Sequence, residues 1–190
     1  PDALVGDQRR IGRGRIGRVV GAQIAGNREA CAEHAADGHT FYQSCRQRVE
    51  RAWHSFTTAQ EFGRIPAPMR DPGEWVSFFT SSEDEMFAIG EQFQGARYPD
   101  QLDALRAAAA AVASVPGLRF CIRVHPHIAQ KSLADQRKWA NLQIPGALVI
   151  GPEDACDSYA LIERSRVVCT FGSTIGVEAT YWRRPSLLFS

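Results

Sequence analysis

Four short polar stretches each follow an apolar run, and their residue types suit a phosphorylated ligand. They are Ser81-Ser82-Glu83-Asp84-Glu85, His125-Pro126-His127, Gly151-Pro152-Glu153-Asp154 and Phe171-Gly172-Ser173-Thr174. In the last, Gly172 permits a sharp backbone turn and close approach of a ligand. Ser173 has the right side chain for an N-cap, with Thr174 opening the helix. Backbone N–H groups at such a start suit a phosphate or diphosphate. Glu178, one turn further in, could accept hydrogen bonds from two neighbouring hydroxyls such as those of a ribose. The same pattern also serves as an ordinary cap with an acid well placed near a helix start.

His125 precedes Pro126, which fixes the loop and biases His125 to an extended conformation. An imidazole held there could bond a phosphate or act as acid or base, or simply be satisfied within a turn. Ser81 and Ser82 could touch phosphate oxygens. Glu83, Asp84 and Glu85 could hold a metal or cap a turn. No cysteine or third histidine lies at ligand spacing, which argues against zinc.

The elements that must position these residues form a regular series. The sequence predicts strands at 75–80, 119–124, 147–150, 167–170 and 186–189. It predicts helices at 100–115, 130–141, 157–164 and 174–182. Strands alternating with helices at this interval give a parallel sheet covered on both faces. Ligands of such sheets bind outside the carboxyl ends of the strands, where all four polar stretches lie. Upstream, apolar residues at Phe41, Cys45, Val49, Trp53 and Phe56 predict one amphipathic helix over 40–60. A stretch rich in proline and glycine follows. The expected organisation is an N-terminal remnant over 1–62, a linker over 63–74 and a Rossmann-like domain over 75–190.

Bulk properties narrow the function classes. The 190 residues are 44% hydrophobic and 23% charged, with a net charge of +1. That is ordinary globular material with no global field for nucleic acid. No apolar run is long enough to span a bilayer. Five scattered cysteines without a CxxC read as reduced thiols in a cytoplasmic protein. Gly12-Arg13-Gly14-Arg15-Ile16-Gly17, with Asp37 downstream, matches a dinucleotide fingerprint in letters only. The residues before it make a poor buried strand. With Arg9, Arg10 and Arg18 around it, it reads as an exposed basic loop, either solvated or touching an anionic acceptor or membrane surface. With no initiator Met, and an end inside a predicted strand, a fragment incomplete at both ends and poorly soluble alone is expected.

FTSSEDE (79–85), RVHPH (123–127) and DSYALIERSRVVCTFGSTIGVEATYWRRPSLL (157–188), in this order, resemble the C-terminal half of bacterial capsule polysaccharide biosynthesis proteins. The resemblance covers about 75–190 and is most specific over the last segment. These are glycosyltransferase-like proteins of the GT-B type, with two facing Rossmann-like domains. The resemblance implies an α/β Rossmann-like fold that binds a nucleotide-sugar, mainly through this half. Gly172, Ser173 and Thr174 would hold the donor phosphate and Glu178 the ribose. His125 would lie beside the phosphates, Ser81 and Ser82 would close the pocket, and Tyr159 would lie near the base edge. Sugar would pass to a glycan or glycolipid acceptor with no cofactor and no bound metal. The protein would be cytoplasmic or peripheral to the inner membrane beside other capsule assembly proteins. The catalytic base would come from the other domain; the upstream remnant offers Asp37, His34 and His39, and nothing singles one out. A GT-B sugar-nucleotide epimerase or a glycerophosphotransferase is the nearest enzyme alternative. An epimerase would need acids and histidines at the sugar ring and would act without acceptor. A nucleotide-binding domain without catalysis is the alternative of another class.

Overall fold

The computed structural model describes residues 36–49, 56–82, 98 and 100–189. The basic glycine motif at 12–17, His34, Cys31 and the acids Glu83, Asp84 and Glu85 lie outside them. The chain divides into two compact units, 1–49 and 50–190.

In the first unit, residues 36–46 are helical. The helix expected over 40–60 does not run through. Arg48 takes a left-handed φ of 61°. The Val49 N–H then reaches back to the Ser44 carbonyl at 2.9 Å and the Arg48 N–H to Cys45 at 3.1 Å. This paired closure is a Schellman motif, which ends a helix by satisfying its last carbonyls. Residues 56–60 are turn and bend.

The second unit carries five parallel strands: β1 (Glu74–Phe79), β2 (Leu118–Arg123), β3 (Ala147–Ile150), β4 (Ser165–Thr170) and β5 (Ser186–Leu188). Their order is β3-β2-β1-β4-β5. The chain winds outward from β1 to β3, returns to the other side of β1 and winds outward again. The reversal between β1 and β4 opens a crevice at their carboxyl ends. The connecting helices are α1 (Gln101–Ala113), α2 (Leu133–Ala140), α3 (Ser158–Arg164) and α4 (Ile175–Tyr181). Pro126–Gln130 forms a short 3-10 turn before α2, so the helix expected over 130–141 is shorter and preceded by a tighter turn.

One sheet face buries Val76, Phe78, Phe120, Ile122 and Cys169 with Leu105, Ala108 and Val112 of α1 and Trp139 of α2. Phe78 has no solvent exposure, and burial of such a side chain stabilises by about 2–3 kcal/mol. The small Ala104 and Ala108 let α1 lie close to the sheet. Asp100 caps α1, its carboxylate accepting from the Leu102 N–H at 2.6 Å.

Alternation along β1 sends Ser77 to the other face, and an irregularity in β4, where the register steps from Trp75↔Ser165 to Val76↔Val167, turns Ser165 to meet it. Both are buried and satisfied: the two hydroxyls lie 2.6 Å apart, and Ser165 also meets the Leu161 carbonyl at 2.6 Å. Cys121, Cys156 and Cys169 are buried unpaired thiols. Burial pushes each up to about 12, so they are inert core fillers.

The stretch expected as a linker is held at its start. The Glu61 N–H donates to the Ala155 carbonyl at 2.7 Å, and the Asp157 N–H to Arg64 at 2.8 Å. The Gly63 N–H donates to Asp157 Oδ2 at 2.7 Å. Farther along, the Arg164 guanidinium donates to the carbonyls of Met69 and Asp71.

Candidate functional site

At the end of β1, Thr80, Ser81 and Ser82 are all buried. Gln101, the first residue of α1, brackets Ser81. Its Oε1 accepts from the Ser81 N–H at 2.7 Å and its Nε2 donates to the Ser81 carbonyl at 3.3 Å. The Ser81 hydroxyl itself is buried and has no hydrogen-bond partner among the described residues. An unmet buried hydroxyl costs about 1–3 kcal/mol and marks a place where a ligand group would be welcome.

The β2 loop docks on the same region. The His125 N–H donates to Thr80 Oγ1 at 2.8 Å. The His127 N–H donates to His125 Nδ1 at 3.2 Å. An Nδ1 that accepts puts the neutral ring's proton on Nε2. His127 Nδ1 lies 3.4 Å from Ser82 Oγ. The Phe56 ring stacks on His127 at 4.9 Å and meets His125 edge-on at 5.1 Å. The histidine loop and the serine pair are therefore one cluster.

The β4–α4 turn borders it across the β1/β4 crevice. Gly172 has φ +64°, a conformation that costs a residue with a Cβ about 1–2 kcal/mol. Ser173 was expected as the N-cap, but Thr174 holds that position, without a side-chain cap bond. The Ser173 hydroxyl reaches the Ile175 N–H only at 3.4 Å. The Ser173 and Thr174 carbonyls accept the first helical bonds. Among the described residues, no acceptor meets the N–H groups of Gly172, Ser173 and Thr174. Gly176 explains why the turn sits so close to the sheet. A Cβ there would lie 3.0 Å from Ser186 Oγ and 3.1 Å from Thr170 Oγ1.

Glu178 faces inward from α4. Tyr159 of α3 donates to its Oε2 at 2.5 Å, and Thr174 Oγ1 lies 3.4 Å from its Oε1. Burial raises the pKa of this carboxyl above the ordinary glutamate value, while the bonds from Tyr159 and Thr174 oppose the rise. Tyr159, expected at a base edge, is 5% exposed. Its hydroxyl bonds Glu178.

The sheet edge thus gathers Ser81, Ser82 and His125 on one side and Gly172, Ser173, Thr174, Glu178 and Tyr159 on the other. Sequence reasoning missed Thr80, Gln101, Phe56, Gly176 and Arg123. Arg123 ends β2 with 1% exposure. It donates to the carbonyls of Gly151 and, at 3.1 Å, Asp154. Burial lowers its pKa, opposed by the nearby Cys156 and Asp154, yet a guanidinium stays charged. It fixes the β3–α3 loop from beneath. An arginine interrupting the apolar run Phe120-Cys121-Ile122-Arg123-Val124 was the available signal. No metal-holding group of acids, histidines or cysteines occurs among the described residues. No described helix is long and apolar enough to cross a membrane.

No protein-family model matches the sequence, and no curated protein does. Solved structures do. The beta Kdo 2,4 transferase KpsC of Thermosulfurimonas dismutans superposes with a TM-score of 0.54 at 17% identity, over 83% of this chain and 44% of that one. The spinosyn rhamnosyltransferase SpnG gives 0.40 at 19% identity, over 66% and 28%. A UDP co-structure of MnaA from S. aureus gives 0.44 at 13%, over 70% and 32%. The chain spans less than half the length of these proteins. The KpsC likeness and the five-stranded parallel sheet define an α/β, Rossmann-like fold of the kind found in GT-B proteins.

Proposed function

We propose that residues 75–190 form the donor-binding half of a GT-B glycosyltransferase-like protein that moves a sugar from a nucleotide-activated donor to a growing surface glycan. The observation that carries this reading is the β4–α4 turn. Three successive N–H groups there have no acceptor among the described residues, and one turn on a carboxylate is held between Tyr159 and Thr174. Backbone donors around a left-handed glycine suit a diphosphate, and a carboxylate one turn on suits a ribose diol. Likeness to a Kdo transferase supports the sugar-transfer class.

In this reading, charge develops on the leaving phosphate as the glycosidic bond to the donor breaks. The turn's N–H groups and the His125 Nε2–H stabilise it, fixed in place before the reaction. Ser81 and Ser82 lie on the opposite wall. The catalytic base belongs to the facing domain, as do the acceptor contacts. Capsule assembly and a site beside the cytoplasmic membrane face are part of the proposal.

Calorimetric titration of CMP, CDP, UDP and GDP into the protein, beside Glu178→Ala, tests it. Selective binding of one nucleotide, weakened roughly tenfold or more in the variant (about 1.4 kcal/mol), is expected. No binding of any of them at millimolar concentration would sink the reading.

A further inference from the structure

Glu178 is held by a chain of contacts that begins far from it. Gln60 Oε1 accepts from the Ser158 N–H at 2.8 Å, and the Gly63 N–H donates to Asp157 Oδ2 at 2.7 Å. The other Asp157 oxygen accepts from the Tyr159 N–H at 3.0 Å and caps α3. Tyr159 then donates to Glu178 Oε2 at 2.5 Å. Gln60, Asp157, Ser158 and Tyr159 are 6%, 2%, 7% and 5% exposed, so water does not compete for these contacts. Trp182, on the residue that ends α4, meets the Tyr159 ring edge-on at 6.4 Å. The Thr174 contact to the other oxygen is longer, at 3.4 Å. Tyr159 therefore fixes the direction of the carboxylate.

We propose that Tyr159 is a positioning residue that orients Glu178 to read the ribose diol of the donor, with the 60–64 strap setting its place through Asp157 and Ser158. This rests on the donor-site reading and adds a residue that touches no substrate. With one oxygen held by Tyr159, Glu178 Oε1 has lone pairs turned away from that bond. A ribose hydroxyl bonded there is a charge-assisted contact, whose loss weakens binding by roughly ten- to a hundredfold. Without the phenol hydroxyl the carboxylate rotates, and the preference for a ribose over a 2′-deoxyribose falls.

The test compares CDP, UDP and GDP with their 2′-deoxy forms, by calorimetry, on the wild-type protein, Tyr159→Phe, Glu178→Gln and the double variant. The wild type is expected to prefer the ribonucleotide roughly tenfold or more. Tyr159→Phe, which keeps the ring and its packing, is expected to lose most of that preference while its affinity for the 2′-deoxy form changes less than about threefold. Adding Tyr159→Phe to Glu178→Gln is expected to remove no further preference, because the first acts through the second. A Tyr159→Phe protein that binds nucleotide and keeps the full preference overturns this inference and leaves the donor-site reading standing. Additive losses in the double variant overturn it too. A wild-type protein that binds none of the six nucleotides overturns both. If Tyr159→Phe fails to fold, Asp157→Asn replaces it; its retained ribose preference would overturn the relay, and its loss would support it.

Discussion

Two turns on one edge of the sheet begin alike and end differently. After β3, the loop 151–154 has its carbonyls met by Arg123, its Asp154 carboxylate bonded to the Cys156 N–H at 2.8 Å, and its helix capped by Asp157. After β4, the turn 171–174 leaves successive N–H groups without an acceptor among the described residues, and its helix has no side-chain cap. Both follow an apolar strand and carry glycine. The first holds the Gly151 and Asp154 carbonyls and the Asp154 carboxylate in internal contacts and so is structural. The second keeps its donors for something outside the fold, and folding tolerates that omission because water can meet exposed groups until a ligand does.

The sharpest way to break this contrast is Arg123→Ala. It strands two carbonyl groups and opens a cavity, so unfolding by urea is expected to report a loss of about 3 kcal/mol or more. A loss below about 1 kcal/mol would mean that the β3 loop is not built on Arg123. Next comes Gly172→Ala. The left-handed backbone there makes a stability loss of about 1–2 kcal/mol the expected result, together with nucleotide binding weakened about tenfold. Nucleotide binding left intact would separate the turn from the phosphate.

The smallest effect concerns Glu178. Folding disfavours its charge, so the native state holds this proton more tightly than the unfolded chain does. Its contribution is present below the ordinary glutamate value and is lost as pH rises through the raised folded value. The stability difference between wild type and Glu178→Gln should therefore fall as pH rises from the ordinary glutamate value through the raised one. A flat difference in urea titrations across that range would mean that burial is offset by the bonds from Tyr159 and Thr174.

The sequence made the sheet legible because its strands are apolar runs and its helices have a 3.6-residue period. β3 was expected at 147–150 and runs Ala147–Ile150; β1, β2, β4 and β5 shift by one or two residues. The helix over 40–60 overran because Arg48 adopts a left-handed backbone, which residue type does not announce. Arg183 ends α4 the same way at φ 60°. Polar residues after the strands pointed to the sheet edge, but not to their partners. Tyr159 and Glu178 are 19 residues apart and belong to different helices, so only the fold joins them. Gln101 is an unremarkable residue beside a cap until α1 brings it to Ser81. Strand order decides such pairings, and periodicity does not contain it.

The most direct measurement follows backbone amide resonances of the nitrogen-15-labelled protein during titration with CDP, UDP and GDP. The account expects the amides of Gly172, Ser173 and Thr174 to shift most and to saturate together, with those of Gly151, Glu153 and Asp154 nearly still. Saturable binding that moves Gly151, Glu153 and Asp154 and leaves 172–174 unchanged would contradict it, because the turn that folding leaves unmet would then not be the one that meets the donor.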